Sequence, residues 1–412
     1  MNLSRDSIDI QQRRIFWRPL IRQVLESEIT PFYLFSSAPL AEGWAELQNL
    51  SCRLSVPARH WYSCKTQPLP QAMQAWKSWG GGAEVVSELE LRLARATGFE
   101  TEHTLVNGPL KHRWLGPLAE EGQRVHFDSL REIEALGAQA KRQSWRVGVR
   151  LLLGPEYDPE QPDWPTQFGM GLDEARRAAR LLRRHGLELG GIHFHLRTSI
   201  ANPEAYRDAL RSGAALCDEL GWRPVYVDLG GGFPPPFVNT REGGRFDRKF
   251  NFRSWSSMVN QELRAFPQVQ ELWMEHGRFP SARSGVLVVT IRDGKQRRGM
   301  RHLLCDGGKT LHALVANWER HDLWSLPRRT GRTLPTIVSG PTCMAFDKLG
   351  QESLPATLRP GDVLVWMDAG AYHLPWETRF SHGLAPVWWH DETGLRRVRR
   401  RESFADWMDR WI

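Results

Sequence analysis

Between Trp61 and Glu275, short apolar runs rich in β-branched and aromatic residues alternate with longer segments whose apolar positions recur every third or fourth residue. The short runs read as strands and the longer ones as helices, because side chains return to one face every second residue along a strand and every 3.6 along a helix. Eight strands are predicted: HWYSC ending at Cys64, AEVV from Ala83, TLVN from Thr104, RVHF from Arg124, VGVRLLL from Val147, GGIHFHL from Gly190, VYVDL from Val225 and ELWME from Glu271. Between the sixth and seventh, Tyr206, Leu210, Ala214, Cys217 and Leu220 fall on one helical face. Strands separated by helices form parallel βα units, and eight units close into a (β/α)8 TIM-like barrel. After Arg278 the pattern changes to β-type runs (GVLVVTI, RHLLCD, TIVSG, DVLVWM) punctuated by Gly, Pro and Asp. The chain is therefore divided into a barrel over residues 30–278 and a second, mainly β domain formed by residues 1–29 with 279–412. Leu395, Phe404, Trp407, Met408 and Trp411 predict an amphipathic C-terminal helix.

A 412-residue chain with 41% hydrophobic residues can bury a substantial core. No run approaches the roughly 20 apolar residues of a membrane span, and MNLSRDSIDIQQRR lacks an apolar leader segment, so a cytoplasmic protein without membrane attachment is expected. Cys52, Cys64, Cys217, Cys305 and Cys343 form no CxxC pair and predict free thiols. The net charge of +8 does not imply nucleic-acid binding, because the arginines are dispersed except for the run from Arg396 to Arg401, which reads as a solvated face.

In a barrel of this kind the reactive groups lie at the C-terminal strand ends. Lys65 closes the first strand, where desolvation favours the neutral amine needed for a Schiff base. VYVDLGGGF ends a strand in Gly230, Gly231 and Gly232, a turn that can close on a phosphate or serve only as a turn. His193 and His195, two apart, are predicted to share an inward face as a metal pair, a cofactor contact or core packing. Asp228 and Glu275 could complete a metal site. Glu275 could equally be an acid or base, the partner of a heterocyclic cation, or the pair of Arg278.

These motifs in this order resemble the fold type III pyridoxal-phosphate decarboxylases, the family of diaminopimelate and ornithine decarboxylases. The resemblance covers nearly the whole chain through PFYLF, WYSCKTQPLP, GGGAEVVSELEL, FDSLREIEAL, RLLLG, QFGM, GIHFHLRTS, VDLGGGFP, EHGR, CDGG, VSGPTCMAFD and PGDVLVWMDAGAY. It implies pyridoxal 5'-phosphate as cofactor, Lys65 as the Schiff-base lysine, His195 as the imidazole stacked on the cofactor ring, and Glu275 as the acid at the pyridine nitrogen. Thr198, Gly230, Gly231, Gly232, Arg278 and Tyr372 fall where the family holds the phosphate. Arg150, and Glu84 in place of the usual Asp, match supporting residues near the ring. Cys343, which protonates the product carbon, and Asp306 match residues that a homodimer shares across its interface. No metal is implied.

The departures bear on substrate. Where the family places an acidic residue after the cysteine to hold a distal ammonium, this chain has Met344; where it has Gly two residues after the stacking histidine, this chain has Arg197. Together they replace an anionic recognition pattern by a cationic one and point to an acidic distal group, citryl-like as in the siderophore-assembly members that this chain resembles. Two other function classes stand beside the decarboxylase: a non-catalytic pyridoxal-phosphate-binding regulatory homologue, and a metal-dependent barrel hydrolase using His193, His195 and Asp228.

Overall fold

The computed structural model describes residues 5–411 except 155–156, 159–160, 201, 241–243, 246, 248–249 and 313–318. It divides into two units, Glu42–Pro234 with Asp247–Phe279, and Met1–Ala41 with Pro235–Phe246 and Pro280–Ile412.

The first unit is a closed barrel of eight parallel strands: β1 (Ala58–Ser63), β2 (Gly82–Val85), β3 (Thr104–Val106), β4 (Arg124–Phe127), β5 (Arg146–Arg150), β6 (Gly191–His193), β7 (Tyr226–Asp228) and β8 (Glu271–His276). They neighbour one another in chain order, and β8 pairs with β1 to close the ring. Each overlaps one of the eight runs named above. Helices between them begin at side-chain caps: Ser87 accepts from the Glu90 N–H and Ser129 from the Glu132 N–H, satisfying donors that a helix start leaves open. Within Glu204–Leu220 the predicted face is buried at Tyr206, Leu210, Ala214 and Cys217.

The N-terminal part of the barrel interior is plugged by aromatics. Trp61, Tyr226 and Trp273 cluster with Leu105, and the Tyr226 and Trp273 rings stack at 3.6 Å and 7°. Their bulk is admitted by glycines on neighbouring strands. A Cβ at Gly82 would lie 2.4 Å from the Trp61 ring, and one at Gly191 would lie 2.2 Å from the Tyr226 ring. Apolar filling at this end leaves the polar residues to gather at the opposite strand ends.

The second unit is a nine-stranded sheet in which Phe32–Ser36 runs antiparallel to Gly285–Arg297 and parallel to Val387–Asp391. The helix Arg5–Leu25 lays Trp17, Ile21 and Val24 against Phe32, Leu34, Val286, Val288 and Val365. The domain boundary therefore falls after Ala41 and not at residue 30. The barrel closes on itself and offers no edge, whereas Phe32–Ser36 is buried along its whole length by sheet partners.

The C-terminal helix is shorter than expected, spanning only Phe404–Met408. Gly394 turns a hairpin (φ 108°), so Leu395 pairs with His390 as part of the strand Gly394–Arg399. Phe404 and Trp411 are exposed. The basic run is compensated locally: Arg396 pairs with Asp391, Arg397 and Arg401 with Glu28, Arg399 with Glu377 and Arg400 with Asp406. No helix among the described residues is long and apolar enough to cross a membrane. The cysteines are free.

Candidate active site at the strand ends

Lys65 follows β1 in a single turn of 3₁₀ helix, Cys64–Thr66. Its Nζ donates to Glu84 Oε2 on β2 at 2.5 Å, and Glu84 is buried while Lys65 is partly open. This turn is held by Gly277 after β8, where a Cβ would lie 2.3 Å from Thr66 Oγ1.

Glu275 sits on β8 facing the interior. Asn107 Nδ2 donates to its Oε1 at 2.5 Å, and His193 Nε2 lies 3.2 Å from the same oxygen. Burial, and then the negative charge of Glu84, push the Glu275 carboxyl up to about 7, while Lys65 and Arg150 pull it down. Asp228 on β7 is driven well above the carboxylate range by burial and by Glu275 beside it. His193 is held neutral by burial and the neighbouring His126, Arg150, His195 and Lys65. The strand ends at His193, so the two histidines do not share a strand face as expected. His193 groups instead with His126 and Glu275, whose ligand atoms lie within 4.8 Å of one another. The metal set of His193, His195 and Asp228 is not the one that the fold assembles.

His195 lies in the loop after β6, partly exposed, and its Nδ1 accepts the Gly231 N–H at 3.1 Å. That bond assigns its proton to Nε2, and burial with the charges of Arg150 and Lys65 takes its basicity down to about 3. The glycine turn has left-handed conformations at Gly230 (φ 63°) and Gly232 (φ 108°). A Cβ at Gly230 would meet the Phe194 carbonyl at 2.6 Å, one at Gly231 the Glu275 carbonyl at 2.7 Å and one at Gly232 the Arg197 carbonyl at 2.5 Å. Only glycine fits three such approaches in succession. The Gly230 N–H is already committed to Asp228 Oδ1 at 2.8 Å, so the turn offers fewer amides than three glycines suggest. The Ile200 N–H bonds the Gly232 carbonyl at 2.7 Å, tying the turn to the loop that carries Arg197 and the exposed Thr198. Arg278 starts the short helix Arg278–Ser281 immediately after β8.

Arg150, at the end of β5, places its guanidinium 3.7 Å from Asp128 and 4.7 Å over the Phe168 ring. Beneath it lies an ion pair that sequence reading missed: Lys111 Nζ and Glu132 Oε2, 2.7 Å apart and fully buried. Lys111 also donates to the Gly108 carbonyl, and Glu132 accepts the N–H groups of Lys111 and Asp128. Asn107 and His126 were also overlooked. Both are polar residues in otherwise apolar strands, and that was the available signal.

The remaining predicted residues belong to the sheet unit. Asp306 accepts from the Thr290 N–H, from Thr30 Oγ1 and from Arg292 Nε and Nη2 at 2.6–2.9 Å. Cys343 is exposed. Met344 follows it in a loop clamped by Asp347, whose carboxylate accepts from the Thr342 N–H and hydroxyl and from the Lys309 N–H. A Cβ at Gly308 or Gly340 would lie within 2.5 Å of that carboxylate or of the opposing glycine. Tyr372 adopts a left-handed conformation (φ 64°) just before the short helix His373–Trp376.

An amine with a carboxylate partner, a buried carboxyl poised near neutrality, an imidazole of fixed tautomer and a turn that excludes Cβ atoms fit pyridoxal phosphate. Residues 45–282 match the family model of the pyridoxal-dependent decarboxylases, pyridoxal binding domain. The chain is 30% identical over 391 residues to the diaminopimelate decarboxylase of Actinosynnema pretiosum subsp. auranticum, covering 90% of this chain and 88% of that one. It is 26% identical to the L-glutamyl-[BtrI acyl-carrier protein] decarboxylase of Niallia circulans, covering 92% of each. Diaminopimelate decarboxylase from Helicobacter pylori, solved with L-lysine, superposes with a TM-score of 0.81 at 18% identity, over 95% of this chain and all of the other. The chain belongs to the pyridoxal-dependent decarboxylases, and its chemistry is the removal of CO2 from an amino acid with pyridoxal phosphate as cofactor.

Proposed function

We propose that this decarboxylase acts, as a cytoplasmic homodimer, on an amino acid or amino-acid conjugate whose distal group is acidic, a citryl-like group being one candidate. The observation that carries the proposal is Met344. A thioether after Cys343 offers nothing to a distal ammonium, and an unpaired cation in a closed site costs several kcal/mol, about 100-fold or more in kcat/KM. Arg197, on the loop tied to the glycine turn, supplies a planar donor pair suited to a carboxylate. The Niallia circulans relative gives independent support, since its name specifies a glutamyl group carried on a protein.

Bound pyridoxal phosphate supplies an aldehyde for an amine and a ring that takes up the electron pair left when CO2 departs. Lys65 contributes the amine, and Glu84 orients it. Glu275 contributes a carboxyl for the ring nitrogen, with Asn107 fixing its position. His195, neutral and pinned by Gly231, contributes a flat face to the ring. Thr198, Gly231, Gly232, Arg278 and Tyr372 are assigned to the phosphate, Arg150 to the ring surroundings, Asp306 to the shared site, and Cys343 to proton delivery from the partner subunit.

The test is CO2 release from ornithine, lysine, diaminopimelate, arginine and carboxylate-bearing conjugates of these. Preference for the conjugates by at least tenfold in kcat/KM is expected, and Arg197→Ala should raise KM more than it lowers kcat. Efficient turnover of ornithine or lysine, with indifference to the conjugates, defeats the proposal.

A further inference from the structure

The sheet unit contains a second cluster of ionisable side chains, unrelated to the strand-end residues. His312, His321 and His373 are buried to 0%, 3% and 2% exposure, and one ring nitrogen of each lies within 4.8 Å of those of the other two. Three imidazoles in one dry pocket need a reason, because each brings a lone pair as well as an N–H.

The outer hydrogen bonds assign the tautomers. His373 Nδ1 lies 2.8 Å from the Ala371 carbonyl, which can only accept, so the proton is on Nδ1 and Nε2 carries the lone pair. His321 Nε2 lies 2.7 Å from Glu319 Oε2, and donation to that carboxylate leaves the lone pair on Nδ1. A carbonyl and a carboxylate behind two histidines is the arrangement that orients metal-binding imidazoles. His312 Nδ1 lies 2.5 Å from His373 Nε2. A cation accepting the inward lone pairs would account for the convergence of three neutral rings on one point.

We propose that His312, His321 and His373 bind one divalent transition-metal ion of the zinc class within the sheet unit. Three neutral imidazoles leave one coordination position for water or another ligand, as in three-histidine zinc sites. Glu319, acting through His321, supplies negative charge toward the buried dication. It is held on the strand Glu319–Arg320, which pairs with Asn239–Thr240. The Trp366 ring, 5.0 Å from His312, closes one side of the cluster to water. Burial and the neighbouring histidines keep His312 unprotonated, as a ligand must be.

The test uses the holoenzyme without a histidine tag, stripped with chelator, exposed to zinc chloride and then gel-filtered. Metal analysis should find one zinc per chain, and the thermal midpoint should rise with zinc concentration. His312→Gln and His373→Ala should each lose the zinc while retaining the far-ultraviolet circular dichroism and bound cofactor of the parent. His126→Gln, in the barrel cluster, should keep it. Cobalt in place of zinc should give the intense visible bands of four-coordination. Only trace zinc on the parent, or equal zinc on the parent and both sheet-unit variants, or loss confined to His126→Gln, overturns the proposal. Should His312→Gln fail to fold, the parent's stoichiometry and cobalt spectrum decide the matter alone.

Discussion

Lys65 Nζ, on the turn after β1, meets Glu84 Oε2 on β2 at 2.5 Å, the carboxylate buried and the amine partly open. The pair points the amine in one direction without enclosing it, as a lysine that must bond an incoming aldehyde requires. Borohydride reduction of the holoenzyme should therefore leave a pyridoxyl adduct on the peptide containing Lys65. Lys65→Ala should abolish adduct and activity while keeping the circular dichroism of the fold. An adduct on another lysine, with activity preserved, would remove the assignment.

Glu275 yields a prediction about pH. Its carboxyl sits at about 7 in the fold against an ordinary value of 4.5, through burial first and the Glu84 charge second. Between those values the folded apoprotein holds a proton that the unfolded chain has released, so stability should fall as pH rises through this window and level off above it. The loss is at most about 3 kcal/mol. Glu90, pushed up to about 7 chiefly by burial, contributes in the same direction, so the informative quantity is the difference between parent and Glu275→Gln. Thermal midpoints of the cofactor-free proteins at about pH 5 and about pH 8 should differ less in the variant. Parallel curves would show that Glu275 is ionised throughout.

The barrel was legible in the sequence because its signals are local. Apolar runs such as VYVDL and ELWME declare strands wherever their partners lie. Phe32–Ser36 has the same appearance, but its membership depends on Gly285–Arg297, some 250 residues away, and no periodicity encodes that choice. The site divides in the same manner. Lys65 and the glycine turn stand at recognisable strand ends, whereas Lys111 and Glu132 look like ordinary surface residues until the fold buries them together. Asp306 likewise is recognisable from its CDGG motif, and only the structure shows that its oxygens accept hydrogen bonds from Thr30, Thr290 and Arg292.

The proposed sharing of active sites in a homodimer can be tested by complementation. Lys65→Ala and Cys343→Ala chains, each inactive alone, form heterodimers in which one site combines an intact lysine with an intact cysteine. Random reassociation of equal amounts should restore about a quarter of the parent activity. Cys343 is exposed on its own chain, which the proposed contribution to a partner requires. Full activity in a strictly monomeric species by light scattering would exclude the arrangement.

The last prediction converts the proposed specificity. Met344 lies in a loop whose shape is set by Asp347, through Thr342 and Lys309, and by the close approach of Gly308 and Gly340. Met344 itself is tied to the loop through its backbone, its N–H bonding Thr342 Oγ1 at 3.4 Å and its carbonyl accepting the Asp347 N–H at 3.0 Å. Replacing its side chain therefore leaves the loop in place, and Met344→Asp should add a carboxylate without disturbing Cys343. If the thioether is what denies a distal ammonium its partner, that carboxylate should raise kcat/KM for ornithine or lysine by about tenfold or more. The same charge should repel an acidic distal group and lower turnover of the conjugates by a similar factor. Opposite movements for the two substrate classes distinguish recognition from a general loss of function, which would depress both. Turnover of ornithine and lysine that stays unchanged in Met344→Asp, with the conjugates equally unaffected, would mean that this position does not face the substrate and that the distal group is read elsewhere.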